Sequence, residues 1–461
     1  MRNYLKIPLI GMILIMMGCS SDSENSSSNE TGRLKVKFIS TDSLQNTVTQ
    51  SPTRLKAPAI LPSWYNHTLV SDFAQTAGKP EEFKFKFVNI DLNPLNDEDG
   101  VLNIFNDSLG KEISITSTKV DISNLFQNTL GEDVFCFDDN DEEIYCQDEN
   151  GTENKEISYV EYKIKTGTYN QIRTELKSKA QIKGCLTQSY SDNTLTPGTH
   201  TYCTQTSNSI FNSYGQNRDF ENMTSEFTDI DLWGTAAPER DDFLADYGIP
   251  GNITISTDEK ATLTLLIDTN RAMRFYNQAN GIDDGEAPSG ITDKSYFFSS
   301  KIDHDMFIFV GEPGKIEGYS YYAKECTMDG GRISDIPDDR FCDQNSSNFD
   351  SMIKGWVTLV YDKNNNPLMT NVKSDYHHGN IKGNNLKGSG EDTYHDTTAF
   401  ETNDDNTINI STLYGDENPT SLTIENFQNI EAGNGFETTF TTHNDGFNFV
   451  GWGNIYFIRE F

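Results

Sequence analysis

The sequence predicts a mainly-β protein made of antiparallel, β-sandwich-like domains with a few short helices. Three observations predict it: short segments alternate apolar and polar residues, turn signals separate them, and long runs with helical spacing are scarce. The alternation is clearest in RLKVKFI (33–39), EFKFKFVNI (82–90), EISITS (112–117), ISYVEYKIK (157–165), NITIS (252–256), ATLTLLID (261–268) and MFIFVG (306–311). It returns in IEGYSYYAK (316–324), GWVTLVYD (355–362), TINIST (407–412), FETTFTT (436–442) and NIYFIRE (454–460). Such segments bury one face and wet the other, as antiparallel sheets do. Turn signals DEDG (97–100), DKNNNP (362–367) and NDG (444–446) mark hairpin connections. Helices are expected at VDISNLFQN (120–128) and at PERDDFLADYG (238–248), where Pro238 would start the element and Gly248 stop it.

A chain of 461 residues is too long for one ordinary core, so about two or three domains are expected. No internal repeat divides it, and the boundaries follow composition. Residues 1–18 read as a signal peptide and 19–32 as a tether. A β-sandwich-like domain follows over 33–185, then a loop-rich region over 186–290, ending in glycine-rich GIDDGEAPSG, and a C-terminal β domain over 291–461.

The first residues carry Arg2 and Lys6, then the apolar run IPLIGMILIMM, then Gly18, Cys19, Ser20 and Ser21. The apolar run is too short to span a bilayer and has the layout of an export signal. The segment Met16-Met17-Gly18-Cys19 resembles the lipobox of signal-peptidase-II substrates, the bacterial lipoproteins, although that family usually carries Leu and then Ala or Ser where Met16 and Met17 stand. The resemblance implies a lipid on Cys19 and a membrane partner reached through it. Ser20 directly after the cysteine resembles the signal for the outer membrane, with the body periplasmic or surface-exposed. The following SSDSENSSSNETG lacks apolar residues and cannot bury enough surface to fold, so it reads as a flexible tether.

The formal charge is −34, and losing Arg2 and Lys6 with the signal makes it more negative by two. Such a body repels polyanions, and no Lys/Arg run breaks the pattern, which disfavours nucleic acid.

With Cys19 assigned to lipid, Cys136, Cys146, Cys185, Cys203, Cys326 and Cys342 remain. An even count in an exported chain points to disulfides, and the cysteines fall into three local pairs: 136–146, 185–203 and 326–342. Zinc spacing is absent.

Catalytic motifs are absent too: there is no HExxH, no GxSxG, no GxxxxGK[ST] and no GxGxxG after a strand. His377-His378 with His395-Asp396, and Asp303-His304-Asp305, are more consistent with solvated loop and surface patterns than with a metal site or triad. The acidic stretch after Cys136 is the main cofactor candidate. Asp138, Asn140, Glu142 and Glu149 offer hard oxygen ligands for Ca²⁺ in an EF-hand-like spacing, but Glu143 stands where that loop needs glycine. A solvated acidic hairpin tip is the competing reading.

Aromatic residues make up 11% of the chain, with Trp64, Trp233, Trp356, Trp452 and the Tyr-rich GYSYYAK (318–324) as places where rings could meet a sugar. The opening strand and KIKTGTYNQIRTEL (163–176) resemble an uncharacterised β-sandwich domain at the start of many bacterial surface lipoproteins, which implies a sandwich and no particular ligand. The expectation is a lipid-anchored, non-enzymatic protein that binds a glycan or a protein partner at the envelope. The alternatives are an envelope-polymer hydrolase using carboxylates such as Asp303 or Asp305, and a structural component of an envelope complex.

Overall fold

The computed structural model describes residues 30–48, 75–95, 100–126, 134–146, 157–190, 198–206, 210–211, 223–232, 242–277, 295–299, 306–343, 346–375, 400–402, 407–410, 420–427, 430–444 and 449–461. They form a mainly-β structure of antiparallel sheets. Every alternating segment that falls among them is a strand.

The first sheet runs, edge to edge, through Met306–Val310, Lys260–Ile267, Thr31–Ser40, Tyr159–Lys165, Val134–Phe137 and Glu143–Ile144. A second is centred on Glu82–Pro94, flanked on one side by Leu102–Thr116 and on the other by Lys179–Lys183 and Gly167–Lys177. These two sheets face each other across one core. Leu34, Val36 and Phe38 point inward from the first, and Phe83, Phe85 and Phe87 from the second. Phe38 and Phe87 meet edge to face at 5.9 Å between ring centres. The core extends from Leu34 to Ile308 in sequence, so strands from all parts of the first two thirds of the chain share it.

Among the described residues one pairing departs from the antiparallel rule. Thr31–Ser40 lies parallel to Lys260–Ile267, in register from Arg33 with Lys260 to Ser40 with Ile267. A parallel pair requires a crossover rather than a hairpin, and here the crossover is the intervening sandwich itself.

The third large sheet is C-terminal, in the order Pro367–Asp375, Phe349–Asp362, Pro313–Asp329, Phe449–Arg459 and Gly435–Asn444. Its buried side holds Tyr319, Tyr321, Val357, Leu359, Ile455 and Phe457. A small apolar cluster of Ile39, Leu44, Leu266, Phe309, Ile316 and Val360 joins this sheet to the end of the first.

Two expected helices are corrected. Residues expected to form a helix over 238–248 contribute instead to the long strand Asp242–Ile255, which pairs with Gly167–Lys177. Ladder hydrogen bonds to a waiting neighbour outweigh a weak local helix preference. The register shifts between Gly248 and Ile253, where Pro250 has no N–H to donate and Asn252 adopts a φ of 57°. In the 120–128 segment, Val120–Asp121 is a short strand and Ser123–Phe126 a single 3₁₀ turn.

Among the described residues the one α-helix is Thr41–Val48. It begins at a reciprocal cap: the Ser43 N–H donates to Ser40 Oγ at 3.1 Å, and the Ser40 N–H donates to Ser43 Oγ at 3.0 Å. No helix among the described residues is long and apolar enough to cross a membrane.

Candidate functional site

The site is built on the outward face of the first sheet. In RLKVKF the pleat sends Leu34, Val36 and Phe38 to the core, which leaves Arg33, Lys35 and Lys37 on the other side. Lys35 stands opposite Glu161, and Lys37 opposite Tyr159. One strand further, Phe135 stands opposite Glu161 and Phe137 opposite Tyr159. The result is a shelf of alternating cations, carboxylates and rings.

Glu161 is fully buried beneath this shelf. Arg33 Nη1 donates to its Oε2 at 3.2 Å, and Lys260 Nζ donates to its Oε1. Lys35 Nζ pairs with Glu312 Oε1 at 2.6 Å and lies 3.8 Å from the centre of the Tyr159 ring. Tyr159 in turn stacks on Phe137 at 4.8 Å with the planes 6° apart, and Arg33 covers Phe135 at 5.3 Å. Lys363 holds the other oxygen of Glu312 at 3.2 Å.

These neighbours set the charge states. Burial alone would raise the Glu312 carboxyl, but the Lys35 hydrogen bond, the charges of Lys37 and Lys35 and the Lys363 hydrogen bond bring it down to about 2. Burial, the Asp141 hydrogen bond and surrounding carboxylates push the Tyr159 phenol up, so it stays a neutral donor. Glu161 and Glu312 each meet two cations and Asp141 approaches Lys35 at 4.0 Å, so Arg33, Lys35, Lys260 and Lys363 outnumber the three carboxylates on an otherwise acidic molecule.

The hairpin at the edge of the shelf is closed by a disulfide from Cys136 to Cys146. Cys185–Cys203 and Cys326–Cys342 are also bonded, so all three expected local pairs form.

The acidic tip of the first hairpin uses its oxygens internally. Asp138 Oδ1 accepts the N–H of Asn140 at 2.8 Å and of Glu142 at 2.9 Å, and Asp138 Oδ2 accepts Asn140 Nδ2 at 3.2 Å. These bonds, the one to Glu142 foremost, hold the Asp138 carboxyl below its ordinary range. Asp141 takes the left-handed conformation, at φ 59°, that the tight turn requires. Glu149 lies outside the described residues. Among the described residues no group of three or more His, Cys, Asp or Glu side chains gathers as a metal site. DKNNNP forms a turn of the same kind, with Asp362 Oδ1 accepting the N–H groups of Asn364 and Asn366 at 2.7 and 2.8 Å.

Other candidates resolve into core or fall outside the described part. In GYSYYAK, Tyr319 and Tyr321 are fully buried and pack in the C-terminal core. Trp356 and Trp452 are buried as well. Cys19, Trp64, Trp233, Asp303, His304, Asp305, His377, His378 and His395 lie outside the described residues. The shelf was not foreseen as a site; its signal was the run of cations at every second position in 33–37, facing FCF and YVE of two later strands.

Comparison with protein-family models, with curated proteins and with solved structures finds no match to this chain.

Proposed function

We propose that the protein is exported, held at the cell envelope by a lipid on Cys19, and binds a glycan without turning it over. The observation that carries the binding reading is the shelf of Phe135, Phe137, Arg33 and Lys260, backed by the buried Lys35. Half-buried ring faces suit the C–H faces of a sugar, and fixed cations beside them donate to its hydroxyls. The large negative charge elsewhere favours a neutral or weakly acidic glycan over a long polyanion. Three disulfides suit an oxidising compartment outside the cytosol. The layout of Arg2, Lys6, the apolar run and Gly18-Cys19 supports both export and anchoring.

The test is titration calorimetry of the chain from residue 30 onward against envelope and surface polysaccharides, with Phe135→Ala/Phe137→Ala as the variant. Saturable binding that weakens at least tenfold in the variant, with its melting transition retained, is the expected result. Absence of binding to every polysaccharide at millimolar sugar, or release of shortened chains on incubation, defeats the reading. In that event a pull-down from envelope extract would decide whether the partner is a protein.

A further inference from the structure

The C-terminal sheet brings a lysine, an asparagine and a glutamate together on three neighbouring strands. Lys324 lies directly opposite Asn454 in the antiparallel pair of Pro313–Asp329 with Phe449–Arg459. Directly opposed residues hold their Cβ atoms roughly 5 Å apart, within reach of a covalent link between a lysine and an asparagine side chain. Glu437 comes from the edge strand Gly435–Asn444, two positions from Thr439, which pairs with Asn454. The face is opposite the one that carries Tyr319, Tyr321 and Ile455 to the core.

This face is nonetheless closed. Lys324 is 1% exposed and Asn454 5%. The cover is the loop that ends at Cys342, tied to the sheet by its bond to Cys326. Phe341 on that loop lays its ring over the Lys324 ammonium at 3.7 Å. Trp452 packs alongside and donates from Nε1 to the Phe341 carbonyl at 3.4 Å. Gly453 allows the approach of the strands, because a Cβ there would strike the Lys324 carbonyl oxygen.

The Asn454 amide is held at both ends. Its Oδ1 accepts the Cys342 N–H at 3.3 Å, and its Nδ2 donates to Glu437 Oε1 at 3.4 Å. We propose that Lys324 and Asn454 join through an intramolecular isopeptide bond, formed by the folded chain itself with Glu437 as the proton carrier. The neutral Lys324 amine attacks Cγ of Asn454. The new bond is Nζ–Cγ, the bond that breaks is Cγ–Nδ2, and Nδ2 leaves as ammonia. The proton shed by Nζ passes through Glu437 to Nδ2, where the carboxylate already receives an N–H. The Cys342 N–H faces the oxygen on which charge develops, and the loop shields Lys324 and Asn454 from water, with Glu437 at the open edge. No oxidant or cofactor enters the balance.

Burial makes the lysine easier to deprotonate. Burial pushes the Lys324 ammonium below its ordinary value, against the opposing pull of Asp343 and Glu437. The disulfide contributes as a positioning element, since it fixes the loop that supplies both the Phe341 ring and the Cys342 N–H.

Mass spectrometry of the full chain purified from cells, reduced and alkylated, tests the proposal. The expected result is a mass about 17 Da below that calculated for the chain with the same lipid and alkyl groups, the loss of one ammonia, and a branched peptide joining Lys324 to Asn454 after digestion. The Glu437→Gln variant should show the complete mass and separate peptides, and its exposed position leaves the fold intact. Complete mass in the wild type, or a branch from Lys324 to Asp343 with loss of water instead, overturns the assignment. A branch that persists in Glu437→Gln overturns the role given to Glu437.

Discussion

Arg459 reaches across the C-terminal sheet to Glu317, with Nη2 at 2.9 Å from Oε1 of a carboxylate whose side chain is 3% exposed. Its other oxygen accepts the phenols of Tyr319 at 2.9 Å and Tyr361 at 3.2 Å, and Lys315 completes the set. The network ties the last strand of the chain to the two central ones. Replacing Glu317 by Ala takes this acceptor from the buried Tyr361 phenol and the counter-charge from Arg459 and Lys315, while Tyr319 keeps the Phe427 carbonyl and Arg459 those of Ile430 and Phe461. A loss of about 3 kcal/mol in chemical denaturation is expected, because removing one partner of a buried pair leaves the rest uncompensated. A loss below 1 kcal/mol would show that solvent satisfies the network.

Glu312 makes the fold sensitive to acid. Its carboxyl is held at about 2, against an ordinary value of 4.5, so the folded state favours the ionised form. Its contribution is therefore complete above 4.5 and declines as the pH falls towards 2. Thermal melts between those values should show a stability slope that Glu312→Gln reduces. An unchanged slope in the variant would place the acid sensitivity elsewhere.

Cys185 and Cys203 stand directly opposite each other at the base of a hairpin. Replacing both by Ser should cost roughly 3 kcal/mol in the chain-entropy view of a loop this size. Non-reducing peptide maps should return 136–146, 185–203 and 326–342 and no crossed linkage.

The proposed anchoring rests on one thiol, Cys19. Cys19→Ala should yield protein that is released from membranes or left unprocessed, and that takes up no palmitate analogue in growing cells. Each buried methylene of an acyl chain contributes about 0.8 kcal/mol, which two or three chains multiply into stable attachment. Mutant protein that is cleaved normally yet stays in salt-washed membranes would refute the lipid anchor.

The strands were legible because the pleat writes its period directly into residues such as those of RLKVKFI and EFKFKFVNI. The disulfides were legible for a similar reason, since each pair is local in sequence. What local pattern cannot reveal is which strand accepts which. Asp242–Ile255 carries helix punctuation and becomes a strand only because Gly167–Lys177 lies free to pair with it. The helix at Thr41–Val48 had its cap in view, in Ser40 and Ser43, but its polar residues gave no apolar stripe to follow. The shelf was hidden in the same way: Arg33, Phe135, Tyr159 and Lys260 become neighbours only through register.

The parallel pairing of Thr31–Ser40 with Lys260–Ile267 also constrains how the molecule is made. The opening strand has its antiparallel neighbour in Tyr159–Lys165, but its other side stays open until residue 267 has been delivered. The first sheet therefore cannot be sealed early in synthesis, and contacts this remote slow the search. Until then the opening strand keeps one unpaired edge exposed while the rest of the chain arrives. The order of the strands thus sets when that edge is covered: once residue 267 is in place, and not before.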